Sequence, residues 1–353
     1  MARLLISADS HVFEPIDLWQ TRLPSSLRGR APHLEARDGE MRLVMEGMPP
    51  RRMGGAPKDG DAGESPRAPG GADASARVRD LDVDGVTAEV IYPTLGLFLF
   101  MIPDPELQLA CARAYNDWCV ELFFDRRDVF IPSAIIPVLD PSAAVAELER
   151  CAALGFRSAT LPTHPPDQAR WNSDVHDPLW RAAASAEMPL SFHVGTGTSP
   201  TTERGPGGAV INYVYVGIGA QQAVAYFVAG GVLAKHPGLH VVMVESGAGW
   251  LGWLVERMDE AYTEHEHWVT PKLDALPSEY VRRQVHVTLG ADRAPINNRD
   301  ITGVEPLMWA SDYPHPEGTW PESQTVVERI FKGVPEHEVD AIAGLNAKAL
   351  YKL

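Results

Sequence analysis

Cysteine is scarce in this chain: Cys111, Cys119 and Cys151 are the only three among 353 residues. An odd number, set in segments of helical pattern, argues against a disulfide framework. Cys111 and Cys119 share the apolar stripe of one helix and read as core. Positive charge is short as well. Lys and Arg number 31 against 47 Asp and Glu, and the net charge of -16 disfavours nucleic-acid phosphates and anionic membrane as partners. No apolar run approaches the roughly 20 residues of a membrane span, and the N-terminus lacks the basic segment and cleavage site of a signal peptide. The expectation is a cytoplasmic protein acting on a small molecule. No internal repeat is present.

What the chain has in quantity is apolar sequence, 45% of residues, enough for a large core. Eight β-rich runs recur: "LLISA" near the start, "AEVIYPT", "FIPSAIIPV", "SATLPT", "LSFHVG", "HVVMVES", "VHVTLGA" and "LMWASDYP". Helical patterns separate most of them, over Pro105 to Phe124, Ser142 to Leu154, Pro178 to Ala186, Gln221 to Lys235 and Gly249 to His265. Strands alternating with helices predict a parallel sheet, and eight strands close a barrel. The predicted fold is α/β, a TIM-type (β/α)8 barrel, with residues 1–353 as one domain. An open doubly wound sheet is the runner-up, but its phosphate-binding turn is missing after the first strand. Residues 47–76, dominated by Gly, Pro, Ala and charge, predict an irregular surface excursion. A second Gly-rich segment follows His193, where a barrel keeps its catalytic loops.

Barrel enzymes place their chemistry at the carboxyl ends of the strands. Four runs end there on groups able to bind a metal. Asp9 and His11 close the first, and as i and i+2 on a strand they share a face. His193, Glu245 and Asp312 close three others. Imidazole and carboxylate together form the N/O donor set that suits Zn2+, Fe2+ or Mn2+.

The D-x-H triplet followed by "EPIDLW", with "RVRDLDVDGVTAEVIYPT", "LSFHVGTG", "HPGLHVVMVESGAGWL" and "WASDYPHPEGTWP", resembles the amidohydrolase-related family. That branch of the amidohydrolase superfamily includes aminocarboxymuconate semialdehyde decarboxylases and resorcylate-type decarboxylases. The resemblance implies a distorted (β/α)8 barrel of metal-dependent hydrolase type and a homodimer. It also implies one divalent metal, Zn2+ first and Mn2+ or Fe2+ as alternatives, on Asp9, His11, His193 and Asp312. Glu245 is a departure, because decarboxylases of the family commonly have histidine at the end of the sixth strand. A carboxylate there repels a substrate carboxylate unless it is protonated.

The expected activity is nonoxidative decarboxylation of an aromatic or unsaturated acid, with Asp312 delivering a proton. Metal-dependent hydrolysis or hydration is the alternative, and a ligand-binding barrel without turnover is a third reading. Glu245 could serve as a second acid or base. His315, three residues beyond Asp312, could reach over the site. His164 at the end of the fourth strand and Arg204 are candidate substrate contacts. Two motifs are set aside. "GAGWLG" imitates a dinucleotide fingerprint but comes at the sixth strand without the required acidic strand end, so its glycines read as packing devices. "HEH" at His265 to His267 reads as a solvated helix end.

Overall fold

A computed structural model of the chain describes residues 3–37, 39–55, 68–166, 169–197 and 203–353. Its strands are β1 (Ile6–Val12), β2 (His33–Arg37), β3 (Glu40–Val44), β4 (Arg51–Gly55), β5 (Ala88–Pro93), β6 (Phe130–Pro132) and β7 (Ala134–Ile135). They continue with β8 (Ala159–Pro162), β9 (Leu190–His193), β10 (Val241–Val244), β11 (Val285–Leu289) and β12 (Leu307–Trp309).

All eight expected runs are strands, joined in parallel as β1-β5-β6 and β7-β8-β9-β10-β11-β12. Only Ser133 separates β6 from β7, so the third stave passes from one sheet to the other. The remaining gap lies between β1 and β12. A bridge from Ser10 to Tyr313 spans it, with His11 N donating to Tyr313 O at 2.6 Å and Asp312 N to Asp9 O at 2.9 Å. The ring is thus a distorted (β/α)8 barrel. Its closing seam ties the segment carrying Asp9 and His11 to the segment carrying Asp312.

Burial explains why the staves read as apolar runs. Their outward residues join the helices in one large cluster, and Ile6, Val90, Val242, Val244 and Met308 meet in a second cluster inside the ring. Ala347 and Tyr351 from the C-terminal segment pack into that inner cluster. Cys111, Cys119 and Cys151 are buried and unpaired.

Two expectations need correction. The stretch 47–76 is not irregular throughout. β4 pairs antiparallel with β3, which pairs with β2, because backbone groups can form a ladder whatever the side chains. Gly47 holds a φ of +86° and sits so close to Met101 that a Cβ would lie 1.8 Å from its carbonyl oxygen. A helix starts at Ala74, its first turn capped by Asp73, which accepts from Ala76 N at 2.5 Å. Residues 56–67 lie outside the described part.

The second correction concerns the segment after β9. The helix expected over Gln221 to Lys235 instead runs Gly208–Ala229, and a separate turn covers Val232–Lys235. Glycine hid this start, since glycine lowers helix propensity. Tertiary packing reverses the preference: a Cβ on Gly219 would approach His164 Cε1 to 2.8 Å, and one on Gly217 would approach Ser246 O to 3.1 Å.

Candidate metal centre and active-site cavity

The seam and the strand ends bring the expected site residues together. His11 and His193 are fully buried, and Asp9 is 1% exposed. His11 Nδ1 bonds Pro93 O at 2.9 Å, and His193 Nδ1 bonds Val194 O at 2.8 Å. With both rings neutral, each Nδ1 donates and both Nε2 atoms are left as acceptors. Those acceptors face each other at 3.1 Å. Asp9 Oδ1 lies 3.7 Å from His11 Nε2 and 3.6 Å from His193 Nε2, and it has no hydrogen-bond partner. Two lone pairs and an orphaned buried carboxylate oxygen around one point make an arrangement that a cation relieves.

The fourth member of this group is Glu245: donor atoms of Asp9, His11, His193 and Glu245 all lie within 4.8 Å of one another. Asp312 belongs to two overlapping groups, one with His11 and His315 and one with Glu245, His315 and Glu317. Its Oδ1 is 3.7 Å from His11 Nε2 and accepts a hydrogen bond from His315 Nδ1 at 2.9 Å. The His315 ring stacks on that of His11 at 4.1 Å between centroids. Glu245 and Asp312 both have left-handed backbone, with φ of 57° and 55°. This conformation is uncommon for residues with a Cβ and clusters at functional sites. Thr288 Oγ1 accepts from Glu245 N at 2.9 Å, tying the end of β10 to β11.

Electrostatics follow from burial and crowding. Burial raises the Asp9 carboxyl, against the pull of His193. Burial also drives His11 well below the ordinary imidazole range, with His315 and His193 adding to it. His193 goes the other way. Burial opposes its charge, but the Asp9 carboxylate 3.6 Å away and the charge of Glu245 win, pushing it up to about 9. Glu245 is raised to about 8 by burial, with Asp312 and Asp9 adding repulsion and His193 opposing. His315 is raised because its bond to Asp312 outweighs burial. Divergent carboxyls and imidazoles at one point are the usual mark of a functional site.

A cavity of about 560 Å³ opens onto the group, and Asp9, Glu245 and Asp312 line it. Tyr213, Val214 and Val216 from the Gly208–Ala229 helix form another wall, so the misplaced helix belongs to the site. Asp292 and Glu317, which the strand-end reading did not single out, also line it. Asp292 could have been found there, since it follows the seventh stave in "VHVTLGAD". Its Oδ1 accepts from Gly290 N and its Oδ2 from Ala248 N, each at 3.3 Å, which joins the loops after β11 and β10. Arg77 was missed as well. Fully buried, it pairs with Glu89, donates to His11 O at 2.7 Å and lies over the Tyr313 ring at 4.8 Å, bracing both sides of the seam.

The two substrate-contact candidates are not drawn in. His164 packs against the Gly219 face of the helix, its Nε2 unpartnered, and is not among the residues lining the cavity. Arg204 is exposed and does not line it either. Residues 198–202, in the Gly-rich loop expected near the site, lie outside the described part. The "GAGWLG" glycines do serve close packing, but against a later helix: a Cβ on Gly249 would lie 2.7 Å from Ala294 Cβ. His265 and His267 are exposed beside Trp268 just past the end of the Trp250–Glu264 helix.

Imidazole and carboxylate donors gathered at the carboxyl ends of a parallel barrel define the class of metal-dependent hydrolases and carboxy-lyases built on this fold. A family model described as amidohydrolase matches residues 62–353, and the chain belongs to that family. Over 270 residues it is 24% identical to a gamma-resorcylate decarboxylase from Rhizobium sp. (strain MTP-10005), covering 71% of this chain and 79% of that protein. An amidohydrolase from Mycobacterium avium subsp. paratuberculosis K-10 superposes with a TM-score of 0.80 at 21% identity, covering 100% of this chain and 99% of the other. A dihydroxybenzoic acid decarboxylase from Polaromonas sp. JS666, solved with bound manganese and the inhibitor 2-nitroresorcinol, superposes with a TM-score of 0.67 at 18% identity, covering 100% and 98%. Among the described residues no helix is long and apolar enough to cross a membrane.

Proposed function

We propose that this enzyme is a divalent-metal-dependent nonoxidative decarboxylase of a small aromatic or unsaturated carboxylic acid. The observation that carries the reading is the buried, unpartnered Asp9 Oδ1 between the facing Nε2 atoms of His11 and His193. These three residues, with Asp312 at the rim, would hold the metal, and Glu245 stands beside them. Manganese is favoured by the Polaromonas relative, and zinc and iron suit the same donors. A divalent cation there would supply positive charge against the substrate carboxylate and an adjacent oxygen.

The protein's own groups would handle the proton. His315 Nδ1 donates to Asp312 Oδ1 across 2.9 Å. As the bond to the carboxyl carbon breaks and CO2 leaves, its electron pair stays on the substrate carbon, and Asp312 would place the proton there while His315 reloads it. Glu245, raised to about 8, holds a proton near neutrality and so does not repel the entering carboxylate. The names of the curated relatives support the same reaction. The reading takes residues 1–353 as one barrel domain of a cytoplasmic homodimer.

Hydrolysis or hydration is the second reading, and Glu245 favours it: its carboxyl lies within the four-donor group and in its ionised form could accept the proton of an attacking water. Metal analysis of protein purified without chelator, with CO2 release from hydroxybenzoates measured beside hydrolysis of lactones and amides, separates these. Metal-dependent CO2 release supports the decarboxylase. Lactone or amide turnover alone supports the hydrolase, and absence of both metal and turnover supports a binding-only barrel.

A further inference from the structure

The cavity's lining carries charge of one sign. Asp9, Glu245, Asp292, Asp312 and Glu317 line it, and no Lys or Arg does among the described residues. Some of this charge is already engaged. Asp292 accepts two backbone N–H groups and Asp312 accepts from His315, whereas Asp9 Oδ1, on a residue 1% exposed, has no partner. Glu317 is exposed, and its carboxylate lies within 4.8 Å of donor atoms of Glu245, Asp312 and His315.

A divalent cation held by the inner donors would give one anionic group its counter-charge, while Asp292 and Glu317 lie further along the lining. A second anion on the substrate would meet Asp292 and Glu317 with no Lys or Arg in the lining among the described residues, and low-dielectric walls focus such fields rather than screen them. Selectivity here therefore works partly through repulsion. The apolar side of the cavity, Val194, Val214 and Val216 with Tyr213, suits a ring rather than a second polar end.

Resting on the decarboxylase reading of this site, we infer that the substrate is a monocarboxylic acid whose remaining substituents are hydrogen-bond donors or cations, an amine above all, and that Glu317 is the residue that selects them. Dicarboxylic aromatic acids are excluded by the same field.

The test uses the metal-loaded protein and three salicylates that carry, at the same ring position, an aminomethyl, a hydroxymethyl or a second carboxylate group. Calorimetric titration at low salt should rank them in that order, with the amine bound about tenfold or more tightly than the dicarboxylate, as expected for one charge reversal in a partly solvated cavity. Glu317→Gln should shrink that gap severalfold while binding of the hydroxymethyl compound stays unchanged. Equal or tighter binding of the dicarboxylate overturns the inference, and so does a gap that Glu317→Gln leaves intact. A second pair without a salicylate carboxylate, 4-(aminomethyl)phenol and 4-hydroxybenzenesulfonate, separates the two levels of the argument. If the salicylates fail to bind or turn over but the amine still outbinds the sulfonate, the decarboxylase reading falls and the charge selection stands. Failure of both amines to bind overturns the inference itself.

Discussion

The barrel contains two pairs of facing histidines at opposite ends, with the same spacing and opposite chemistry. At the carboxyl ends of the strands, His11 and His193 bring their Nε2 atoms to 3.1 Å. At the amino ends of β10 and β11, His240 Nδ1 meets His286 Nε2, also at 3.1 Å. The lower pair is a simple neutral hydrogen bond, since one ring donates and the other accepts. While both rings are neutral the upper pair lacks that option, because both Nδ1 atoms are already spent on the carbonyls of Pro93 and Val194. Distance between histidines is therefore uninformative alone; what the far nitrogen of each ring bonds decides whether a pair is glue or a metal site.

The neighbouring charges enlarge the difference. Asp9 and Glu245 hold His193 up to about 9 against burial. His286 is pushed down to about 3, by burial first and His240 second, against a backbone bond from Glu305.

The strongest way to break this comparison is to remove one ring from each pair. His193→Ala should lose bound metal and turnover together, whereas His286→Phe should keep both; metal analysis and activity on the same preparations decide. If His193→Ala keeps its metal, the upper pair is not a ligand pair. The next largest effect is expected at Glu245. Glu245→Gln keeps the shape and removes the titration, so turnover should fall by roughly 10² to 10⁴ with metal retained on Asp9, His11 and His193. Unchanged turnover would reduce Glu245 to a loop anchor.

The two pairs should also differ in sign in a pH titration of thermal stability on chelated protein. His193 binds its proton more tightly folded than unfolded. Its contribution is therefore complete below the ordinary value of 6.5 and drains as pH rises through about 9. His286 resists protonation in the fold, so its contribution is complete above 6.5 and drains as pH falls toward about 3. His193→Gln should flatten the alkaline limb and His286→Phe the acid limb; the reverse assignment would show that other groups set both. The smallest effect is the stability cost of His286→Phe at neutral pH. It should stay within about 1 kcal/mol, because an aromatic ring replaces a neutral one whose single bond is of modest worth.

How far the sequence reached can be judged at particular residues. The eight staves were legible because burial on both faces writes a continuous apolar run. Asp9, His11, His193, Glu245 and Asp312 were legible because each stands where such a run stops. Loops and helix starts were less so. Gly208 and the glycines after it read as a loop, since propensity is local and the packing of Gly217 and Gly219 against distant loops is not. β4 was hidden by its Gly and Arg content, because ladder pairing depends on the neighbouring strand.

By itself, then, the chain's order of residues determined the barrel and the set of donors at its mouth, since both are written in local patterns of burial and strand ends. Only the tertiary structure brought Glu245 within 4.8 Å of the donors of Asp9, His11 and His193, and set Asp312 between His11 and His315. Only it joined Asp292 and Glu317 to them in one acidic cavity. The physical reason is the closing seam: hydrogen bonds from His11 to Tyr313 and from Asp312 to Asp9 set the angle at which the first and last staves meet. Distances across that angle are fixed by pairing between residues some 300 positions apart, about 303 for Asp9 and Asp312, a separation no local pattern records.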